Sequence, residues 1–317
     1  MKFIQKVVAK IISTSKISIK QVYKVHRKVL NLMNPYFRPL YNLWDHKVMA
    51  GNREIPVRIF LPQGNKKFRI SRRKSRPSEI PSRVIVFFHG GGWVTGNIES
   101  YTKVCANMAN QTGHTVISVD YLLAPENPFP AGPEDCYQVV KEVFEELDSF
   151  HCKSDDVTLI GDSAGGNLAA VVSLMARDRG ICIPGKQILI YPATYNDHSG
   201  SSPFESVHEN GTDYILTSQQ VQDYLDLYVP NEQDRLCPYF APLLAEDLSN
   251  QPNTLIITAE FDPLRDEGEA YGERLKEFDN YVEIYRMKDA LHGFFTLPWP
   301  SEEVKKSYEY INNFLKR

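Results

Sequence analysis

The chain has 317 residues, 42% of them apolar and 24% charged, which excludes a disordered or fibrous chain and suits one large α/β domain with an insertion as well as two domains. Lys and Arg number 36 against 39 Asp and Glu, a formal net charge of −3, so a global electrostatic footprint for nucleic acid is absent. Five cysteines, at 105, 136, 152, 182 and 237, contain no CxxC pair, and their odd number argues against a complete disulfide framework and for free thiols in a reducing compartment.

Lysines at 2, 6, 10, 16, 20 and 24 interrupt the apolar residues of the N-terminus. No secretory apolar run of roughly 7–15 residues forms there, and no stretch of about 20 apolar residues occurs anywhere. The expectation is a soluble, cytoplasmic protein without stable membrane insertion. Phe3, Ile4, Val7, Val8, Ile11 and Ile12 recur at helical spacing, and this basic amphipathic helix is read as packing on the protein's own body rather than on a membrane. A second helix is expected from about Ser18 to Met33, ending before Asn34-Pro35.

The period then changes. Trp44–Ala50 and Ile55–Leu61 read as strands around the turn Gly51-Asn52. Residues 64–82 are rich in Lys and Arg and read as a solvated loop, with only Phe68 as an aromatic. From Val84 the pattern alternates: strand Val84–Phe88, helix Tyr101–Gln111, strand Thr115–Val119, helix Glu134–Glu146, strand Val157–Ile160, helix Ala164–Arg177 and strand Gln187–Tyr191. Residues 196–250 are Pro-interrupted and irregular, with a short helix near Gln219–Tyr228. Alternation resumes with strand Thr254–Thr258, helix Gly268–Phe278, strand Val282–Arg286 and helix Glu302–Leu315. Such alternation implies a mostly parallel central sheet with helices on both faces. The expected organisation is cap helices in 1–40, a first part of the core in 41–195, a second cap segment in 196–250 and the rest of the core in 251–317.

Gly161-Asp162-Ser163-Ala164-Gly165 lies between an expected strand and an expected helix. G-x-S-x-G in that setting is a nucleophile elbow, a tight turn that pushes the serine oxygen above the sheet at a helix N-terminus. His89-Gly90-Gly91-Gly92-Trp93 directly follows the strand Val84–Phe88, and its glycines leave backbone N–H groups open to a developing oxyanion. It matches neither G-x-x-x-x-G-K-[ST] nor G-x-G-x-x-G, because Thr95 stands where the latter needs glycine. A serine nucleophile needs a base and an orienting acid. Of the eight histidines, His292 is placed on a loop after the last strand, downstream of Ser163. Asp262 falls just past the end of the penultimate strand; Asp266 lies about a helical turn further on, and Glu260 points to the strand's other side. The order Ser163, Asp262, His292 is the Ser…Asp…His order of α/β-hydrolases.

HGGGW, Asp120–Glu126 (DYLLAPE), GDSAGGN, DPLRD and LHGF together resemble the hormone-sensitive-lipase-like branch of the α/β-hydrolases, across about residues 80 to 317. The resemblance implies the α/β-hydrolase fold with a helical cap and a serine carboxylesterase acting on a small-molecule ester without cofactor or metal. It maps the nucleophile to Ser163, the acid to Asp262, the base to His292 and the oxyanion-binding amides to Gly91, Gly92 and Ala164. Asp120, Pro125 and Glu126 would be structural. Leu122 stands where the family usually has Arg, which should alter a local salt bridge. Trp93 and Phe294 are candidate substrate-binding residues, and with Phe295 they would restrict the acyl side to short chains. An amidase or peptidase, a lipase, or a non-catalytic receptor of the same fold are the alternatives; the receptor is disfavoured because His292 is present. The natural ester, its alcohol group and the oligomeric state are not legible.

Overall fold

The computed structural model describes residues 18–63, 83–181, 183–296 and 301–317. The amphipathic stretch Phe3–Ile12, the basic segment 64–82 and Cys182 lie outside them. Eight strands form one sheet in the order β1-β2-β4-β3-β5-β6-β7-β8. β1 (Leu43–Ala50) and β2 (Arg53–Phe60) make a hairpin around Gly51-Asn52, with Ala50 opposite Arg53, and β2 runs antiparallel to β4 (Thr115–Val119). β4, β3 (Val84–Phe88), β5 (Val157–Asp162), β6 (Lys186–Ile190), β7 (Asn253–Phe261) and β8 (Val282–Leu291) are all parallel.

The central strands are apolar on both faces because both faces are covered. Along β3, Val84, Val86 and Phe88 point into one core and Ile85 and Phe87 into the other, as period-two geometry requires. Helices α3 (Ala131–Glu145), α4 (Ala164–Arg179) and α7 (Arg265–Glu277) cover the first face. Helices α2 (Thr102–Thr112) and α8 (Glu302–Leu315) cover the second. Phe87 and Phe88 are wholly buried, and each such side chain contributes roughly 1.5–3 kcal/mol relative to exposure.

Residues 196–250 hold more order than their prolines suggest: helices α5 (Glu205–Glu209) and α6 (Ser218–Tyr228), and 3-10 turns at Glu232–Leu236 and Pro242–Leu244. α1 (Ile19–Met33) packs against α6. The junction is polar and specific. Ser18 Oγ and the Ile19 N–H both donate to the buried Asp223 carboxylate, at 2.6 and 3.0 Å, and Lys20 reaches Asp226 at 2.6 Å. Arg27 donates from Nε to Val94 O (2.7 Å) and from Nη2 to Ala124 O (2.7 Å), and it forks onto Glu126. Glu126 thus takes its cation from α1. The Leu122 N–H goes to Asp135, whose cation is Arg53 on β2.

Sequence boundaries fail most at β7 and β8, which run three and five residues beyond the expected ends. A register irregularity between Ala259 and Phe261, and the polar Lys288-Asp289 late in β8, hide strand that is nonetheless paired. α7 starts at Arg265, not Gly268, and α3 at Ala131, ahead of Glu134. Cys105, Cys136, Cys152 and Cys237 are free thiols.

Candidate active site

Four loops at the C-terminal ends of parallel strands converge. The first follows β5. Ser163 adopts φ 56° and ψ −120°, an unfavourable conformation for a residue with a Cβ, at the N-cap of α4. The turn closes only because glycine flanks it: a Cβ on Gly161 would stand 2.0 Å from Gly165 O, and one on Gly165 would stand 2.0 Å from Phe88 O. The Ser163 N–H is anchored on Ile190 O at 2.8 Å.

β7 ends at Phe261 and delivers Asp262, fully buried; β8 ends at Leu291 and delivers His292, with 11% of its side chain exposed. His292 Nδ1 lies 2.7 Å from Asp262 Oδ2, and Nε2 lies 2.9 Å from Ser163 Oγ. With Nδ1–H donating to the carboxylate, Nε2 carries the lone pair that accepts the serine proton; that tautomer follows from the hydrogen-bond pattern. Asp262 Oδ1 accepts the Leu264 N–H at 2.9 Å, which fixes the carboxylate. The Tyr191 ring, 4.8 Å from the imidazole, supports His292 from the side.

The rival acids are occupied elsewhere. Asp266 accepts the Ser206 N–H at 2.7 Å and pairs with Arg265 at 2.7 Å. Burial would raise its carboxyl, but the bonds from Arg265 and Ser206 outweigh this and hold it below the usual range. Glu260 accepts the Asp289 N–H at 2.6 Å.

The fourth loop follows β3. Gly91 (φ 118°) and Gly92 (φ 59°) take conformations open to glycine, and Val94 and Thr95 both donate to Gly91 O. Among the described residues, none accepts a hydrogen bond from the N–H groups of Gly91, Gly92 or Ala164. Free N–H donors of this kind can stabilise a developing negative charge, and the loop is tied to the nucleophile turn through Gly90 and Asp162. Two groups hold this loop. The Gly90 N–H donates to Asp162 Oδ1 (2.9 Å) and to Tyr101 OH (3.1 Å), and Tyr101 OH donates to Asp162 Oδ2 (3.0 Å). Burial pushes the Asp162 carboxyl up to about 6, against these hydrogen bonds. His89 is pushed down to about 4 by burial, and its Nδ1 contacts Gly90 O at 2.9 Å.

Trp93 and Phe294 flank the site, but each exposes only 3% of its surface. Trp93 stacks on Tyr228 at 4.6 Å, and Phe294 meets Tyr191 edge-on at 5.3 Å. Both rings are packed mainly against protein. A residue that sequence reasoning missed stands nearer. The Tyr224 ring from α6 lies against Gly92, where a Cβ would come within 2.4 Å of it. An irregular region gives no periodic signal for such a residue. Asp162 was legible in the same motif as Ser163, but its bond to Gly90 exists only in the fold.

A family model described as alpha/beta hydrolase fold matches residues 85–296. The arylesterase of Saccharolobus solfataricus is 34% identical over 267 residues, covering 84% of this chain and 81% of that protein. The ethyl acetate hydrolase of Pseudomonas putida is 31% identical over 267 residues, covering 83% and 78%. Among solved structures, an esterase from Pyrobaculum calidifontis superposes with a TM-score of 0.83 at 34% identity, over 100% of this chain and 98% of that one.

Proposed function

Since the chain belongs to the α/β-hydrolase fold family, in its hormone-sensitive-lipase-like branch, we propose that it is a serine carboxylesterase that hydrolyses short-chain acyl esters through an acyl-enzyme on Ser163. The observation that carries this reading is the continuous hydrogen-bonded line from Asp262 through His292 to Ser163 Oγ. Ser163 Oγ attacks the ester carbonyl as its proton passes to His292 Nε2, while Asp262 holds the imidazolium in place. The carbonyl oxygen becomes an oxyanion held by the N–H groups of Gly91, Gly92 and Ala164; loss of one such donor typically costs about 10²–10³ in kcat. The C–O bond then breaks, and His292 returns the proton to the departing alcohol. Water, deprotonated by His292, releases the acid and restores Ser163 Oγ–H.

We assign α1 and the 196–250 segment to a cap over the site, supported by the α1–α6 junction and by Tyr224 against Gly92. Its crowding at Gly92 favours acyl chains of about two to six carbons, because a long chain would displace a packed aromatic ring. The P. putida relative, an ethyl acetate hydrolase, agrees in substrate size. The free thiols suit a cytoplasmic setting. Among the described residues, no helix is long and apolar enough to cross a membrane.

The test is a panel of p-nitrophenyl acetate, butyrate, octanoate and palmitate beside p-nitroacetanilide, with Ser163→Ala as control. The expected result is the highest kcat/KM on acetate or butyrate, little hydrolysis of the anilide, and loss of turnover in the variant. Preferred cleavage of the anilide would make the protein an amidase, and a maximum at palmitate would make it a lipase.

A further inference from the structure

The charges of this chain are segregated. The first 44 residues carry nine Lys and Arg and no Asp or Glu, so they bear +9 while the remainder bears −12. Within that stretch, α1 has two apolar sides and the fold uses one. Ile19, Tyr23 and Leu30 turn inward. On the outer flank, Val25 (61% exposed), Val29 and Met33 (64%) form an i, i+4 row. The adjoining row is Lys24, Lys28 and Leu32, the leucine 78% exposed. Phe37 and Leu40, both largely exposed, continue the apolar strip beyond the helix. Lys20 and Arg27 are engaged by Asp226 and Glu126, whereas Lys24 and Lys28 form no ion pair with a described residue.

We infer that this outer flank of α1 docks the protein on an anionic lipid surface. Exposed leucine, methionine and valine beside unpaired lysines are what an interfacial helix presents: the apolar row enters the headgroup boundary and the lysines meet lipid phosphate. The complementarity is with an anionic bilayer, because the basic segment has no acid to repel it and the acidic remainder of the chain orients this end toward the lipid. The binding is reversible and peripheral, and it leaves the inner side of α1 to its contacts with α6.

The test is co-sedimentation of the full-length protein with phosphatidylcholine vesicles, with and without an equal share of phosphatidylglycerol, at low and high salt. Binding should need the anionic lipid and weaken with salt. Each Lys near such a surface is worth about fivefold in partitioning, so Lys24→Gln with Lys28→Gln should lower it about 25-fold. Leu32→Ser should weaken binding at unchanged anionic content, and neither variant should change the melting temperature or the hydrolysis of p-nitrophenyl butyrate. Equal binding to neutral vesicles, or undiminished binding by the lysine variant, overturns the inference. So does a Leu32→Ser variant that melts several degrees lower without any vesicle binding, which would mean that the chain's own N-terminal residues cover this flank. A concentration-dependent dimer lost in Leu32→Ser would assign the flank to a second copy.

Discussion

Asp262 and Asp266 are four residues apart and have different partners. The Asp262 carboxylate touches His292 and a local N–H, and Asn210 reaches only its backbone carbonyl. Asp262→Asn should therefore keep the fold and misalign the imidazole; the comparable change in a serine protease costs about 10⁴ in kcat. Asp266 ties Ser206 of α5 to the start of α7. Asp266→Asn should cost about 1–3 kcal/mol of stability and leave kcat within a few-fold. Measuring kcat and melting temperature for both variants decides it; a stable but inactive Asp266→Asn would move the orienting role to that residue. Asp162 gives a pH-dependent expectation. Its folded value, about 6, lies above its ordinary 3.8, so between these pH values the native state holds a proton that the unfolded state has released. Its contribution to stability therefore falls as pH rises from 4 to 6 and is flat above. Relative to the wild type, Asp162→Asn should gain roughly 3 kcal/mol across that interval. Urea midpoints of both proteins from pH 4 to 7 check this, and a constant difference across the range would refute it.

At the scale of elements, legibility follows the source of the signal. Ser163 was legible because a tight turn demands Gly161 and Gly165, and that demand is written in adjacent residues. The parallel sheet was legible because strands covered on both faces must be largely apolar, as β3 is throughout. His292 and Asp262 could be found from chain order, although the strands delivering them are longer than their patterns show. What escaped depends on contacts between elements distant in sequence. Nothing in the local sequence marks Tyr224 as the ring on Gly92, or Arg27 as a donor to Val94 O across 67 positions. Both act on the loop that carries the oxyanion donors. Trp93 is of the same kind: its place next to the glycine loop is written in the sequence, whereas its packing on Tyr228 and Phe240 exists only in the fold.

At the scale of the whole molecule, the sheet supplies the reacting groups and the N-terminal helix braces the loop that completes them. Arg27 satisfies two backbone carbonyls, Val94 O beside the glycine loop and Ala124 O beside Glu126, while Ser18 and Ile19 give Oδ2 of the buried Asp223 two donors, beside Gln219 Nε2 on its Oδ1. Deleting residues 1–35 removes all of these at once. It leaves a buried carboxylate with Gln219 Nε2 but without its two donors from Ser18 and Ile19, which costs more than a surface change, and it frees the glycine loop to shift. A displacement of about 1 Å in such a site can cost up to 10²-fold. The truncated protein should therefore lose at least tenfold in kcat/KM on p-nitrophenyl butyrate, and its preference for acetate and butyrate over octanoate should flatten. Truncation could also simply aggregate, so the full-length Arg27→Gln variant is the companion: it should lower kcat more than it raises KM, because the bonds it loses position the loop rather than the substrate. Vesicle binding separates the two roles of α1. Unchanged kinetics in both proteins, with only vesicle binding lost on truncation, would leave the lipid-docking flank standing and overturn the cap. Lost selectivity in the truncated protein together with intact vesicle binding by Arg27→Gln would show the inner and outer sides of one helix working independently.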